Sequence, residues 1–279
     1  MLQACTLIIT GAMGRLGRVL QRHWAGRDDL GFTPLWAARK PGQGIDIVWD
    51  MSVDLPPALP RGAVFLHLAG VTQGTPGALA ENGLAAQNLC RAARDAMARQ
   101  VFIMSSVAVY RPGAHIIDEN VAPDPTSDYG RAKLAAELAA RAVLPSVTVL
   151  RLGNVAGSDA LLGHLNPNQT MQVDPVAAQN GPVRSYIGPQ VLADTLAQLT
   201  RIAATGAPLP AILHLAQQPA VAMGDLLDAA GQPWQFGPIR AATVPRVCVS
   251  TGILTSMMPM PPATPASLVA DMIRSRAPK

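Results

Sequence analysis

Leu7-Ile8-Ile9-Thr10-Gly11-Ala12-Met13-Gly14-Arg15-Leu16-Gly17 is the stretch from which the rest of the chain is read. Leu7–Thr10 is a short apolar run of the kind that forms a buried strand. Three glycines at three-residue spacing then make a tight turn, and a helical pattern follows. Glycines let a backbone come close to a ligand, and a helix N-terminus presents N–H groups and the positive end of a dipole, so the turn suits a pyrophosphate. The spacing is GxxGxxG and not the GxGxxG of the standard dinucleotide fingerprint. On spacing alone it is also ordinary turn chemistry; its place after the first strand favours the ligand.

Outward from this turn, strand-like runs at Leu7–Thr10, Phe32–Trp36, Ile45–Trp49, Ala63–Leu68, Val101–Met104 and Val147–Leu150 alternate with alanine-rich helical segments such as Ala78–Arg99 and Tyr129–Val143. Short buried strands alternating with helices predict βαβ units and a parallel sheet. The second half is different. Eleven of the 25 prolines follow residue 205, and the helical patterns at Pro189–Ala203, Met223–Ala230 and Pro265–Arg274 are shorter. The predicted architecture is α/β, a doubly wound parallel sheet (Rossmann fold) with a smaller C-terminal substrate lobe. Residues 1–157 form the dinucleotide-binding domain in this reading, and residues 158–279 the substrate-binding lobe, with segments at about 186–216 returning to the sheet.

The chain has 279 residues, 49% apolar and only 14% charged, against roughly 25% charged in an average domain. A disordered chain is excluded and a large core expected. The net charge is +4, but the arginines are scattered and no Lys/Arg run exceeds two residues. Nucleic acid needs clustered basic residues, so it is not an expected partner. Cys5, Cys90 and Cys248 have no metal-ligand spacing; they read as reduced core thiols in a cytoplasmic protein, with no metal site. The first residues lack a basic region before the apolar run and read as a strand, not a signal peptide. No apolar run approaches membrane-spanning length.

A domain binding NAD carries Asp or Glu about 20 residues beyond the glycines. Here that position falls on Ala37-Ala38-Arg39-Lys40. Two cations in place of a carboxylate suit a 2′-phosphate, which favours NADP over NAD, with Arg39 as the forked donor and Arg15 as a second cation. Tyr129-Gly130-Arg131-Ala132-Lys133 opens a helix. Residues four apart share a face, and an adjacent ammonium draws a phenol down from its usual pKa of about 10. Such a tyrosine passes a proton to or from an oxygen while a hydride moves at carbon. Ser106, at the end of a preceding strand, is placed to hydrogen-bond the same oxygen. Of 22 basic residues only Lys40, Lys133 and Lys279 are lysine, and one of them stands four residues after this tyrosine.

In these motifs the chain resembles the extended short-chain dehydrogenases/reductases, the NAD-dependent epimerase/dehydratase family, over most of its length. The resemblance rests on Thr10-Gly11-x-x-Gly14-x-x-Gly17, Asp50-Met51, His67-Leu68-Ala69-Gly70, Asn82, Ser105-Ser106-x-x-Val109-Tyr110, Tyr129-x-x-x-Lys133 and Arg151-Leu152-Gly153-Asn154-Val155-Ala156-Gly157. It implies Tyr129 as acid/base, Ser106 as the group that orients the substrate oxygen, and Lys133 as the cation that binds the nicotinamide ribose and lowers the tyrosine pKa. It implies cofactor contacts from Gly11, Met13, Gly14, Arg15, Leu16, Gly17, Arg39, Asp50, Met51, Leu68, Ala69, Gly70, Asn82, Ser105, Tyr129, Lys133 and Leu152. Substrate contacts are expected from Thr72, Ser106, Val107, Asn154 and Arg184.

Departures narrow the expected chemistry. Val107-Ala108 follow Ser106 where the 4,6-dehydratases carry Asp-Glu, and no cysteine lies near Ser106 as in the 3,5-epimerase/reductases. Leu152, Ala156 and Gly188-Pro189-Gln190 also depart from the family pattern. The leading expectation is an NADP- or NAD-dependent oxidoreductase acting on a hydroxyl or keto carbon of a sugar or sugar-derived small molecule. The alternatives are a sugar-nucleotide epimerase holding NAD and, in another class, a non-catalytic NADP-binding redox sensor. The resemblance further suggests a homodimer; no membrane partner is expected.

Overall fold

The structure, a computed structural model, describes residues 5–52, 56–113, 115–176, 180–239 and 243–276. It divides into two compact units. The first is Met1–Tyr110, Pro123–Arg151 and Ala193–Leu213; the second is Arg111–Ala122, Leu152–Leu192 and His214–Lys279.

In chain order the elements of the central sheet and its helices are β1 (Cys5–Thr10), α1 (Arg15–Trp24), β2 (Phe32–Ala38), β3 (Ile47–Val48), β4 (Val64–His67), α2 (Pro76–Asp95), β5 (Gln100–Ser106), α3 (Asp128–Val143), β6 (Thr148–Leu152), α4 (Pro189–Ala204) and β7 (Ile212–Leu215). The sheet runs β3-β2-β1-β4-β5-β6-β7. β1 pairs in parallel with both β2 and β4, β2 with β3, and β4 with β5. The chain therefore begins mid-sheet, steps out to one edge, and returns past β1 to build the other half. Ligands bind such sheets where the order reverses, at the carboxyl ends of the strands, here beside Thr10 and His67.

The strands form because their side chains are buried on both faces. All four residues of β4 are buried, and so are Leu7, Ile8 and Ile9 of β1. Alternate residues Ile8, Phe65, Ile103 and Val149 meet Ala86, Leu89 and Ala93 of α2 and Ala136 and Ala140 of α3 in one core cluster. Alanine at those helix positions brings α2 and α3 close together. Thr75 caps α2 by accepting from the Ala78 N–H at 3.3 Å, and Pro76 opens it; Ser127 caps α3 through the Gly130 N–H at 3.0 Å. α2 ends at Asp95 and not at Arg99 as the pattern suggests: Met97 adopts φ 52° and the Arg99 N–H turns to the Ala63 carbonyl at 3.0 Å. The Ile45–Trp49 run contributes only the two-residue edge strand β3.

The second unit is built from short strands. Val221–Ala222, Val183–Arg184, Arg246–Val249 and Ile116–Ile117 lie side by side in that order, and Asn154–Val155 pairs with Tyr186–Ile187. Tyr186, Leu162, Leu226 and Leu227 anchor its core. At Gly188-Pro189-Gln190, where the sequence lacks an acidic pair, the carboxylate of buried Asp271 accepts from the Gln190 N–H at 3.2 Å and so caps the start of α4.

Thr10 and His67 are register partners on β1 and β4, and Thr10 Oγ1 lies 2.8 Å from His67 Nδ1. Burial, reinforced by the positive charge of Lys133, drives the His67 imidazole down to about 3. The unfolded chain takes up a proton near pH 6.5 that the folded chain refuses, so folded-state stability falls as pH drops from 6.5 toward 3, by at most about 1.4 kcal/mol per pH unit from this group. His67→Gln is expected to flatten the loss of thermal stability between pH 6.5 and 4.5, measured by calorimetric melting. Equal slopes in the two proteins would show that His67 is not the group responsible.

Candidate active site

The glycine turn comes first. Gly11 has φ +77°, and a Cβ there would lie 2.6 Å from the Ala69 backbone nitrogen, so the β1 turn and the loop after β4 touch backbone to backbone. A Cβ on Gly17 would overlap the carbonyls of Gly11 and Ala12. The outer glycines of the triplet thus serve close approach. Gly14 begins α1 with no side-chain cap and no acidic residue in the first turn, which leaves that end suited to an anion.

These elements enclose a cavity of about 360 Å³ within the first unit. Gly11, Met13, Gly14, Arg39, Asp50, Met51, Leu68, Ala69, Gly70 and Asn82 of the expected cofactor set all line it. Its walls are fixed from behind. Asn82 accepts from the Val71 N–H at 2.6 Å and donates to the Val71 carbonyl at 2.9 Å, and Asn88 donates to the Met51 carbonyl at 3.0 Å. At the β2 end the exposed Arg39 stands near Asp50. Hydrogen bonds from the Ser52 N–H and hydroxyl, helped by the Arg39 charge, hold the Asp50 carboxyl below its ordinary pKa. Asp50 is therefore an acceptor facing the cavity. Trp49 Nε1, in the same wall, is a buried donor with no acceptor among the described residues. A glycine turn packed backbone to backbone beside the cavity, an anion-ready helix end and a buried donor without an acceptor among the described residues fit a dinucleotide.

Tyr129 and Lys133 lie on the first two turns of α3 and face the end of β5. The Tyr129 hydroxyl is hydrogen-bonded to Ser106, whose Oγ also accepts from the Ala108 N–H at 3.1 Å. Lys133 is buried; its Nζ donates to the Met104 carbonyl at 3.0 Å. A Cβ on Gly70 would stand 3.3 Å from that Nζ and 3.1 Å from Asn82 Oδ1, so the ammonium borders the cavity wall. Burial lowers Lys133 to about 8, with Glu137 opposing. Burial raises Tyr129 above its usual value, and the Ser106 hydrogen bond and the Arg15 charge pull the other way. Ser106 and Arg15 thus act on the phenol, and the Lys133 ammonium is turned to a backbone carbonyl.

The remaining expected residues are placed as follows. Arg15 and Leu16 stand on the first turn of α1, and Ser105 lies buried on β5 beside Ser106. Val107 is in the turn after β5, and Thr72 is exposed in the loop before α2. Leu152, Asn154 and Arg184 belong to the second unit. There Asn154 is hydrogen-bonded to Tyr186, while Arg184 donates to the carbonyls of Val183 and Val244 at 2.9 and 2.7 Å. Three contributors were not singled out from sequence: Gly130, Glu137 and Arg151. The signals were present, since Gly130 adjoins Tyr129, Glu137 falls one helical turn past Lys133, and Arg151 opens a quoted motif.

A dinucleotide turn and a Ser–Tyr–Lys group at the switch point of a parallel sheet define a Rossmann-fold enzyme of the short-chain dehydrogenase/reductase type. Residues 7–180, more than half of the chain, match the NAD dependent epimerase/dehydratase family, and the chain belongs to that family. Among solved structures it is similar to a UDP-galactose 4-epimerase (18% identity, TM-score 0.74, covering 98% of this chain and 100% of that one). It is also similar to the dTDP-glucose 4,6-dehydratase of Streptomyces venezuelae solved with NAD (18%, 0.71, 97% and 98%), and to an NAD-dependent NDP-hexosamine 5,6-dehydratase of tunicamycin biosynthesis (17%, 0.75, 97% and 97%). None of the curated proteins matches it. At these identities the structural likeness is one of fold. Among the described residues no helix is long and apolar enough to cross a membrane, and no group of His, Cys, Asp and Glu is placed to hold a metal ion.

Gly130 sets how closely α3 approaches Ser106, because a Cβ there would overlap the Ala108 carbonyl oxygen. Gly83 in α2 has nothing within 4 Å of the same position. Gly83→Ala is expected to raise stability by up to about 1 kcal/mol through helix propensity, and Gly130→Ala to lower it by about 1–3 kcal/mol through the clash. Chemical denaturation measures both. An equally stable Gly130→Ala protein would show that the contact is slack.

Proposed function

We propose that this enzyme is an oxidoreductase preferring NADP, which moves hydride between the nicotinamide and a hydroxyl or keto carbon of a sugar or sugar-derived small molecule. The observation that carries this reading is the Tyr129–Ser106 hydrogen bond beside a lysine that borders the cavity. When bound, the nicotinamide supplies or accepts the hydride. Everything else falls to the protein. Tyr129 holds the proton that a carbonyl oxygen receives, or takes one from an alcohol in the reverse direction. Ser106 shares that hydroxyl and is positioned to bond the same substrate oxygen. Lys133 is charged below about pH 8 and offers its ammonium to ribose hydroxyls at the cavity edge.

Two features support the cofactor preference and the substrate class. The end of β2 presents Ala37, Ala38 and Arg39 to the cavity, and the nearby Asp50 carboxylate, which follows β3, is engaged by Ser52; a cation at the end of β2 suits a 2′-phosphate. Family membership, together with solved relatives named for sugar-nucleotide chemistry, supports a sugar-like substrate. In this reading residues 1–157 hold the cofactor and residues 158–279, with Asn154 just before them, meet the substrate. The exposed Leu138 on α3 supports a homodimer formed through that helix.

Calorimetry with NADP and NAD tests the cofactor. NADP is expected to bind more tightly, and Arg39→Ala to lose about tenfold or more for NADP while leaving NAD nearly unchanged. Tighter NAD binding, with Arg39→Ala indifferent, would contradict the preference. A panel of keto and hydroxy sugars, followed at the NADPH absorbance, tests the reaction. Tyr129→Phe is expected to cut kcat on any active substrate by about a hundredfold or more. Unchanged turnover, or epimerisation without net cofactor change, would overturn the reaction assigned.

A further inference from the structure

Three successive residues at the end of β5 hold three successive turns of α3. Ser106 takes the Tyr129 hydroxyl, the Met104 carbonyl takes the Lys133 ammonium, and between them the Ser105 hydroxyl donates to a Glu137 carboxylate oxygen. Tyr129, Lys133 and Glu137 are spaced i, i+4, i+8 and so form one stripe on the helix. The first two contacts belong to the site already described; the third has no part in the chemistry proposed above.

Glu137 is the most tightly held group in this stripe. Arg151 on β6 grips it bidentately, Nε to Oε1 at 3.1 Å and Nη2 to Oε2 at 2.7 Å, while its Nη1 donates to the Tyr110 hydroxyl at 2.6 Å. Glu137, Arg151, Ser105 and Tyr110 are all at least 97% buried. A buried ion pair is seldom retained for stability, because packed apolar residues of equal volume serve as well or better. What distinguishes this pair is its place, one helical turn beyond a buried lysine.

The surroundings of Lys133 show what the pair supplies. Tyr129 and Glu137 come from its own helix, His67 from β4, Arg151 from β6, and Tyr110 from the turn after β5. Burial holds His67 and Tyr129 in their neutral forms, and Arg151 is committed to Glu137 and Tyr110. Among these described groups Glu137 alone is negative. Burial presses the Lys133 ammonium to give up its proton, and Glu137 is the group that opposes this.

We propose that Glu137 is the positioning residue of the Tyr129–Lys133 helix: held by Ser105 and Arg151, its carboxylate locks α3 at one height on β5 and keeps a compensating negative charge beside the Lys133 ammonium. This rests on the reading of Tyr129 and Lys133 given above. The role is indirect, since Glu137 touches neither the cavity nor Tyr129.

Only three lysines occur in the chain, so NMR of protein labelled with carbon-13 at the lysine ε-carbons reads Lys133 directly, without any substrate, and exposed Lys40 serves as internal reference. Wild-type Lys133 is expected to titrate near 8. In Glu137→Gln, which keeps an acceptor for Ser105 but removes the charge, the midpoint is expected to fall by about one pH unit, with Lys40 unmoved. Should that variant not fold, Glu137→Gln with Arg151→Gln avoids stranding the Arg151 guanidinium, and a smaller downward shift is expected, because a positive charge is removed together with the negative one. A Lys133 midpoint unchanged in whichever variant folds, with only a lower Tm, would reduce Glu137 to a structural role and overturn the proposal. Tyr129→Phe turnover tests the site reading separately, so either can fail alone.

Discussion

The seating of α3 along the end of β5 is the constraint on which the site depends. A helix rises about 5.4 Å per turn, while the strand offers a donor or acceptor at each residue. The two are matched over one short stretch at the strand's end. There the Met104 carbonyl and the hydroxyls of Ser105 and Ser106 hold Lys133, Glu137 and Tyr129. Gly130 makes the approach possible, because any side chain at that position would collide with the Ala108 carbonyl. A tyrosine and a lysine four residues apart share a face in any helix; what sets this pair apart is the strand end that fixes both.

The charge balance around this contact is economical. In a chain with only 14% charged residues, the first unit buries a lysine, a glutamate and an arginine within two helical turns and adjacent strands. His67, hydrogen-bonded to Thr10 and driven down to about 3, stays neutral and adds no further positive charge. At the far end of the cavity the charges are exposed instead: Arg39 stands in solvent near an Asp50 already satisfied by Ser52. Buried charge thus accompanies Tyr129, and solvated charge the far end of the cavity.

The glycine turn, the alternation of strands and helices, and the Tyr–Lys spacing were legible in the sequence because each is local. The turn reads from Gly11, Gly14 and Gly17, and the helix face from residues 129 and 133. Membership of the epimerase/dehydratase family followed from the same motifs. The edge of the sheet was less legible, since β3 is a two-residue strand whose apolar run continues past it. Asp271 could not be assigned as the cap of α4, because it lies about 80 residues away and only the fold brings it there. Glu137 and Arg151 were in view as letters, but a buried ion pair is a relation between two elements and has no local pattern. For the same reason helix spacing puts the lysine on the face of the phenol, and only the strand shows its ammonium turned to Met104.

A crystal structure with NADP bound measures the central claim most directly, namely that the strand ends of β1, β2, β4 and β5 and the first turns of α3 form one cofactor site. The expected result is a dinucleotide in the cavity, with its pyrophosphate at the start of α1, its 2′-phosphate on Arg39, and ribose hydroxyls within hydrogen-bond distance of Lys133 and Tyr129. A dinucleotide bound elsewhere, or one in the cavity with Lys133 still turned to the Met104 carbonyl and out of reach of the ribose, would contradict it.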